Sequence, residues 1–221
     1  MEKVKSAFYV TASLFLLFIL FTVAVMTFDV EAIGPDKTKV GLAAMNEMFA
    51  NHNGVNMVWY QITKILGILA ILVAVLFACL GLGQWIQKRS LAKVDADLFR
   101  LAGFYLVVLL VYVFFENFIV NYRPVILEEG LEASYPSSHT VLAVCILGSA
   151  MMQFHNRIRL LSLKKLIQAV LGGMMVILVL GRMLSGVHWV SDIIGGVLLS
   201  ISLLMAYATV ELYCKERKAA R

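Results

Sequence analysis

The sequence is poor in charge, cysteine and proline. Asp, Glu, Lys and Arg make up 15% of its 221 residues, against about 25% in a typical soluble domain. Apolar residues make up 61%, more than one soluble core of this length can hide. That excludes a soluble globular domain and places the chain among integral membrane proteins. The length suits one compact domain over 1–221 and leaves no room for a second, soluble one. The three cysteines, Cys79, Cys145 and Cys214, lie in or at the edge of apolar stretches. An odd count in such places excludes a disulfide framework and leaves the redox compartment open. No Cys–His spacing suggests zinc, and no metal or cofactor is implied. Repeats and low-complexity tracts are also missing. The net charge of +5 comes from short basic patches between apolar runs. Such patches are topology signals rather than a nucleic-acid footprint.

What is present is oil in six runs: 6–28, 57–83, 101–120, 140–154, 166–184 and 193–213. Spanning a bilayer takes about 17–25 residues. The fourth run is short and spans only if its helix extends into the flanking segments. The first follows a basic Met1-Glu2-Lys3-Val4-Lys5 start but is too long for a signal-peptide core. It also lacks a clear cleavage site, so it is read as a retained span. Fourteen of the nineteen basic residues fall at the N-terminus, after the second and fourth runs, and at the C-terminus. The positive-inside rule then predicts an all-α bundle of six transmembrane helices with both termini cytoplasmic. The segments bearing Arg123, His139 and His188 reach the outer face. The long outer segment 29–60 carries Leu42, Met45, Met48 and Phe49 at helical spacing within 38–51. That helix either covers the bundle or lines a lipid entrance at the interface.

Three outer stretches hold nearly all the unusual polar residues: Asn121-Tyr122-Arg123-Pro124, then Pro136-Ser137-Ser138-His139, then the stretch from Gly181-Arg182 to His188-Trp189-Val190-Ser191-Asp192. Two arginines can fork onto tetrahedral oxygens. Serine hydroxyls and backbone N–H groups at a helix start add neutral donors for an anion. Asp192 follows His188 by four residues, so on a helix the two share a face. A carboxylate bonded to one imidazole nitrogen fixes the tautomer and frees the other nitrogen to attack. A second histidine can protonate the leaving oxygen. Taken singly, each residue has a structural reading: Arg182 as a snorkelling arginine, His188 with Asp192 as a polar cap, Pro136 with Ser137 as a helix start. Together they supply a nucleophile, an orienting acid, a general acid and an anion clamp for metal-free phosphoryl transfer. Charges placed inside a membrane bundle are costly and so point to function.

The pattern resembles the type 2 phosphatidic acid phosphatase family, which shares its site with glucose-6-phosphatases and vanadium haloperoxidases. That family carries Lys, six residues, Arg-Pro; Pro-Ser-Gly-His; and Ser-Arg, five residues, His, three residues, Asp. Here the second motif reads Pro136-Ser137-Ser138-His139, and the third reads Gly181-Arg182, five residues, His188, three residues, Asp192. The resemblance implies that His188 attacks phosphorus and becomes a phosphohistidine, that Asp192 orients it, and that His139 protonates the leaving group and later activates water. It implies that Arg123, Arg182, Ser137 and Ser138 hold the phosphate oxygens.

Three positions depart from the family: Ser138 stands for glycine, Gly181 for serine, and Glu116 for the lysine of the first motif. Lys64 lies about 10 Å down the second span and Glu116 about 7 Å below the outer end of the third, at 1.5 Å per residue. The similar depths suggest that the two pair, or that Lys64 supplies the missing cation. The expected activity is a membrane lipid phosphatase at the outer face of the cell membrane, acting on a lipid phosphomonoester or diphosphate: polyprenyl diphosphate, phosphatidylglycerol phosphate or phosphatidate. Its expected partners are that lipid phosphate and membrane lipids. Two alternatives stay open: a lipid phosphotransferase using the same site, and a non-catalytic lipid-binding or transport protein on the same fold. Oligomeric state is not legible in these residues.

Overall fold

A computed structural model describes residues 1–127 and 130–220; Arg221, counted above with the basic C-terminus, lies outside them. The described residues form an all-α structure with no β-strand, only isolated bridges. Seven helices run in order: α1 (Glu2–Thr27), α2 (Ala43–Asn53), α3 (Met57–Lys88), α4 (Ala96–Asn117), α5 (Ser138–Arg157), α6 (Leu161–Leu184) and α7 (Val190–Ala219).

Five of these, α1, α3, α4, α6 and α7, are long and apolar enough to cross a bilayer. Their outward faces carry rows of exposed Leu, Ile, Val and Phe, such as Leu16, Ile19 and Leu20 on α1 and Ile68, Leu72 and Leu76 on α3. A soluble monomer rarely exposes contiguous apolar patches of more than a few hundred Å², so this surface is made for lipid. The helix over the short fourth run differs. α5 is 20 residues long, with Thr140, Ser149 and Gln153 among its buried positions. At 1.5 Å per residue it measures about 30 Å. It packs against α3, α4, α6 and α7. Because its neighbours shield it from lipid, it needs no apolar outer face, which is why its sequence looks too short and too polar.

Polar side chains inside the bundle are paired within and across helices. Gln153 Nε2 donates to Tyr207 Oη at 2.8 Å, and Arg157 Nε donates to Gln153 Oε1 at 3.1 Å. At the same end Arg100 grips Glu211 through two hydrogen bonds of 2.6 and 2.9 Å. Arg157 also bridges Asp95 and Asp97. The opposite end, where α5 and α7 begin, lies about 30 Å away by helix rise and carries His139, His188 and Asp192.

The segment 29–60 folds into α2, which begins at Ala43 rather than at 38, because Lys37 and Leu42 take left-handed backbone conformations that break the helix. Leu42 N and Ala43 N donate to Phe28 O and Asp29 O, tying the start of α2 to the end of α1. Gly41 crosses α1 so closely that a Cβ there would lie 1.6 Å from Val25 O. The glycine pairs of the late helices behave unequally. Gly195 and Gly196 press against Tyr135, Thr140 and Ser137, whereas Gly172 meets only Met151 Cε, at 3.9 Å, and Gly173 faces open space.

The crossing at Gly41 gives a stability test. Gly41→Ala is expected to lose about 1–3 kcal/mol, because the obstacle is backbone and cannot rotate away. Gly83→Ala, with nothing near its added methyl, is expected to be neutral or to gain up to about 1 kcal/mol. Thermal unfolding of both variants in detergent checks the contrast.

Candidate active site

The segment after α4 doubles back on itself. Arg123 N donates to Glu132 O at 3.1 Å, and Ser134 N donates to Asn121 O at 2.9 Å. Trp189 Nε1 fixes the fold-back by donating to Tyr122 O at 2.8 Å. Pairing 121–123 with 132–134 buries Asn121, Arg123 and Ser134 against the loop between α6 and α7.

That loop holds His188 outside any helix, since α7 begins at Val190. Its shape depends on Gly186, at φ +66°, where a side chain would also strike Gly54 O at 2.0 Å. Asn56 N donates to Ser185 O at 3.0 Å, so the turn before α3 braces the same loop. A further brace comes from α2. Asn46, fully buried, donates to Ser191 Oγ at 2.9 Å and accepts from Ser191 N at 3.1 Å. It thereby satisfies one of the free N–H groups in the first turn of α7.

The expected contact between His188 and Asp192 takes a different form. His188 Nδ1 and Asp192 Oδ2 are 3.9 Å apart, beyond hydrogen-bond range. The i, i+4 argument fails because His188 precedes the helix. Ser134 fills the gap: its Oγ lies 3.0 Å from His188 Nδ1 and donates to Asp192 Oδ2. With its proton committed to the carboxylate, the hydroxyl accepts from Nδ1–H. That tautomer leaves Nε2 with its lone pair. Asp192 also accepts from Trp189 N at 3.0 Å and Asn121 Nδ2 at 3.2 Å. Burial, and then the charges of Arg123 and Arg182 and the second imidazole, hold His188 well below the usual histidine range. The imidazole is therefore neutral at physiological pH.

Arg182, Arg123 and His139 lie near enough to His188 for their charges to act on it, and each holds buried nitrogens with no partner among the described residues. They are all three guanidinium nitrogens of Arg182, Nε and Nη1 of Arg123, and Nδ1 of His139. Arg182 is fully buried, and its guanidinium lies over the Tyr60 ring at 5.1 Å. Arg123 is bound through Nη2 to Glu132 at 2.9 Å. His139, on the first turn of α5, feels the fields of Arg182, Arg123 and Lys64. α3 backs its ring at Gly67. Ser137 is buried; its N donates to Asp192 O at 3.0 Å and its Oγ accepts from Thr140 Oγ1 at 3.1 Å. Ser138 is half-buried and faces a separate hollow that it shares with Tyr112, Glu116 and Pro136.

Lys64 and Glu116 do not pair: no ion pair joins them among the described residues. Similar depth is not enough, because the two face different surroundings. Lys64 lies on α3 on the His139 side, while Glu116 on α4 faces Ala133–Ser138. The sequence reading assigned no role to Ser134 or Asn121, although both lie in the stretches it singled out. Asn46 gave no signal at all.

The protein-family model described as the PAP2 superfamily matches residues 98–216, more than half of the chain. The chain belongs to the PAP2 superfamily. Every residue of the cluster from Asn121 to Asp192 lies inside the PAP2 match, and Asn46, Tyr60 and Lys64 lie outside it. No curated protein matches the sequence significantly. The PAP2 chain shares its fold with a solved transmembrane PAP2-type phosphatidylglycerolphosphate phosphatase from Bacillus subtilis. The TM-score is 0.66 at 20% identity, covering 93% of this chain and 96% of that one.

Buried, unpartnered guanidinium donors call for an anion. Saturating inorganic phosphate is expected to raise the thermal midpoint, by an amount equivalent to about 2.7 kcal/mol at a hundredfold excess over Kd. Arg182→Met is expected to abolish that shift in the same detergent melts.

Proposed function

We propose that this PAP2 chain is a lipid phosphatase that hydrolyses a lipid phosphomonoester or diphosphate through a phosphohistidine on His188. The reading includes six spans, with α5 as the sixth, both termini in the cytoplasm, and the site at the outer face of the cell membrane. The observation that carries it is a set of neighbouring free groups: His188 Nε2, His139 Nδ1 and five guanidinium nitrogens of Arg123 and Arg182, all buried and without partners among the described residues, on residues whose charges act on His188. The basic ends of the helices at the far side of the bundle support the orientation. The lipid-facing surface suits an amphiphile whose head group sits at the interface.

The chemistry follows from the groups. Arg182 and Arg123 hold the non-bridging phosphate oxygens and offset the charge that builds on them in the transition state. The Nε2 lone pair of His188 forms the N–P bond as the P–O bond to the lipid breaks. The leaving oxygen takes a proton from His139. His139, now the base, then takes a proton from water. The hydroxide attacks phosphorus, the N–P bond breaks, and inorganic phosphate leaves with His188 restored. Ser134 holds Nδ1–H throughout, so the attacking nitrogen stays aimed and unprotonated. Pre-aligned donors do the work a cation would do, and the scheme needs no metal.

Phosphate release from a panel of lipid phosphates tests the scheme. His188→Ala is expected to abolish release, and His139→Ala to slow it about 10²–10⁴-fold. Equal activity in the His188→Ala variant would sink the phosphohistidine, and loss of activity in chelator would sink the metal-free route. Ser134→Ala is expected to lower kcat with KM little changed, by roughly the 10–100-fold seen when an orienting partner is lost. Ser134→Thr, which keeps the hydroxyl, should retain more activity than Ser134→Ala.

A further inference from the structure

At the end of the bundle opposite the histidines, α3 and α4 part to leave a cleft of about 380 Å³. The gap exists because facing side chains are small: Ala74, Ala78 and Gly81 on α3, and Ala102 on α4. Buried Phe77, Leu98 and Leu101 close its inner side. Trp85 and Leu91, both exposed, stand at its polar end, where the link 89–95 joins the two helices. The one lining hydroxyl, that of Tyr105, already accepts from Ser149 Oγ at 3.2 Å. The lining is therefore made for hydrocarbon.

Its length says which hydrocarbon. From Ala74 to Trp85 the cleft follows α3 for eleven residues, about 16 Å at helix rise. A hydrocarbon core about 30 Å thick gives about 15 Å per leaflet. The cleft thus has the depth of one leaflet, with Trp85 at the interface where tryptophan is enriched. A helix from a second copy would need a face running through both leaflets. The charges say which head group. Asp95 is held by Gln84 at 2.8 Å, Arg157 at 3.1 Å and Lys88 at 3.8 Å. Arg157 also binds Asp97, and Arg100 binds Glu211. Arg89 and Lys93, both exposed, have no carboxylate partner among the described residues. Each stands two residues from Leu91, at the mouth of the cleft. We infer that this cleft is a binding site for an acyl chain of an anionic phospholipid whose head group is held by Arg89 and Lys93. The site is separate from the histidine cluster, and the inference does not depend on the phosphatase reading.

Trp85 lines the cleft and serves as the reporter. The protein is reconstituted in phosphatidylcholine vesicles with a small, equal fraction of either phosphatidylglycerol or phosphatidylcholine carrying brominated chains, which quench tryptophan. Subtracting the emission of Trp85→Phe isolates the signal of Trp85 from those of Trp59 and Trp189. Quenching by the brominated phosphatidylglycerol is expected to need about fivefold less lipid or better, since one basic side chain near an anionic head group contributes about that factor. Arg89→Gln with Lys93→Gln should remove the preference. Ala78→Leu with Ala102→Leu, which fills the cleft and leaves every charge in place, should remove it too. All four positions are exposed, so both pairs keep the fold, and the single changes Arg89→Gln and Ala78→Leu should show the same contrast at smaller amplitude. Equal quenching by the two lipids overturns the inference. So does a preference that survives filling of the cleft, which would be attraction to the basic surface alone. A Trp85 that neither lipid quenches overturns it as well, because protein then covers the cleft.

Discussion

Where α5 and α7 begin, the bundle is organised around one costly arrangement: Arg182, a permanent cation, is fully buried with no carboxylate bound to it among the described residues. Taking such an ion out of water costs several kcal/mol even after relaxation. The protein returns only part of that through the face of Tyr60, since a cation–π contact contributes about 0.5–2 kcal/mol. In the phosphatase reading proposed above, the remainder would be returned by a bound anion, an interaction useful in catalysis when it strengthens as charge builds on the phosphoryl oxygens. Arg123 differs. Glu132 claims one of its edges, so it also ties the fold-back that carries Ser134.

The bundle meets this cost by dividing labour among its helices. α1, α3 and α4 face lipid and bury few polar side chains, while α6 buries Arg182 near its end. Most of the other helix-borne buried polar side chains belong to α5 and α7. His139 and His188 therefore sit at or just before the starts of the two most shielded helices, where free N–H groups already favour negative charge. Bracing comes from the other elements. α2 reaches α7 through Asn46, the turn before α3 reaches Ser185 and Gly186, and Thr22 of α1 bonds the Tyr135 hydroxyl at 2.7 Å. These braces lie outside the stretch that matches the PAP2 family model. The candidate-site residues thus lie in the family segment, and part of their bracing comes from the N-terminal third.

How much of this the sequence disclosed depends on whether the information was local. The apolar runs and the alternation of basic patches are local, and the helices appeared near where the runs stood. The spacing from Arg182 through His188 to Asp192 is local too, and those residues do converge. Interactions between distant segments were not legible. Ser134 stands 54 residues from His188 and 58 from Asp192, and nothing in "SYPSSH" says that its first serine, rather than the later pair, touches the nucleophile. The fourth apolar run looked too short because a lipid-facing helix shows its apolar face in the hydropathy pattern, and α5 has almost no such face. Lys64 and Glu116 were matched by depth alone; rise per residue fixes how far down a helix a side chain lies but not which way it points.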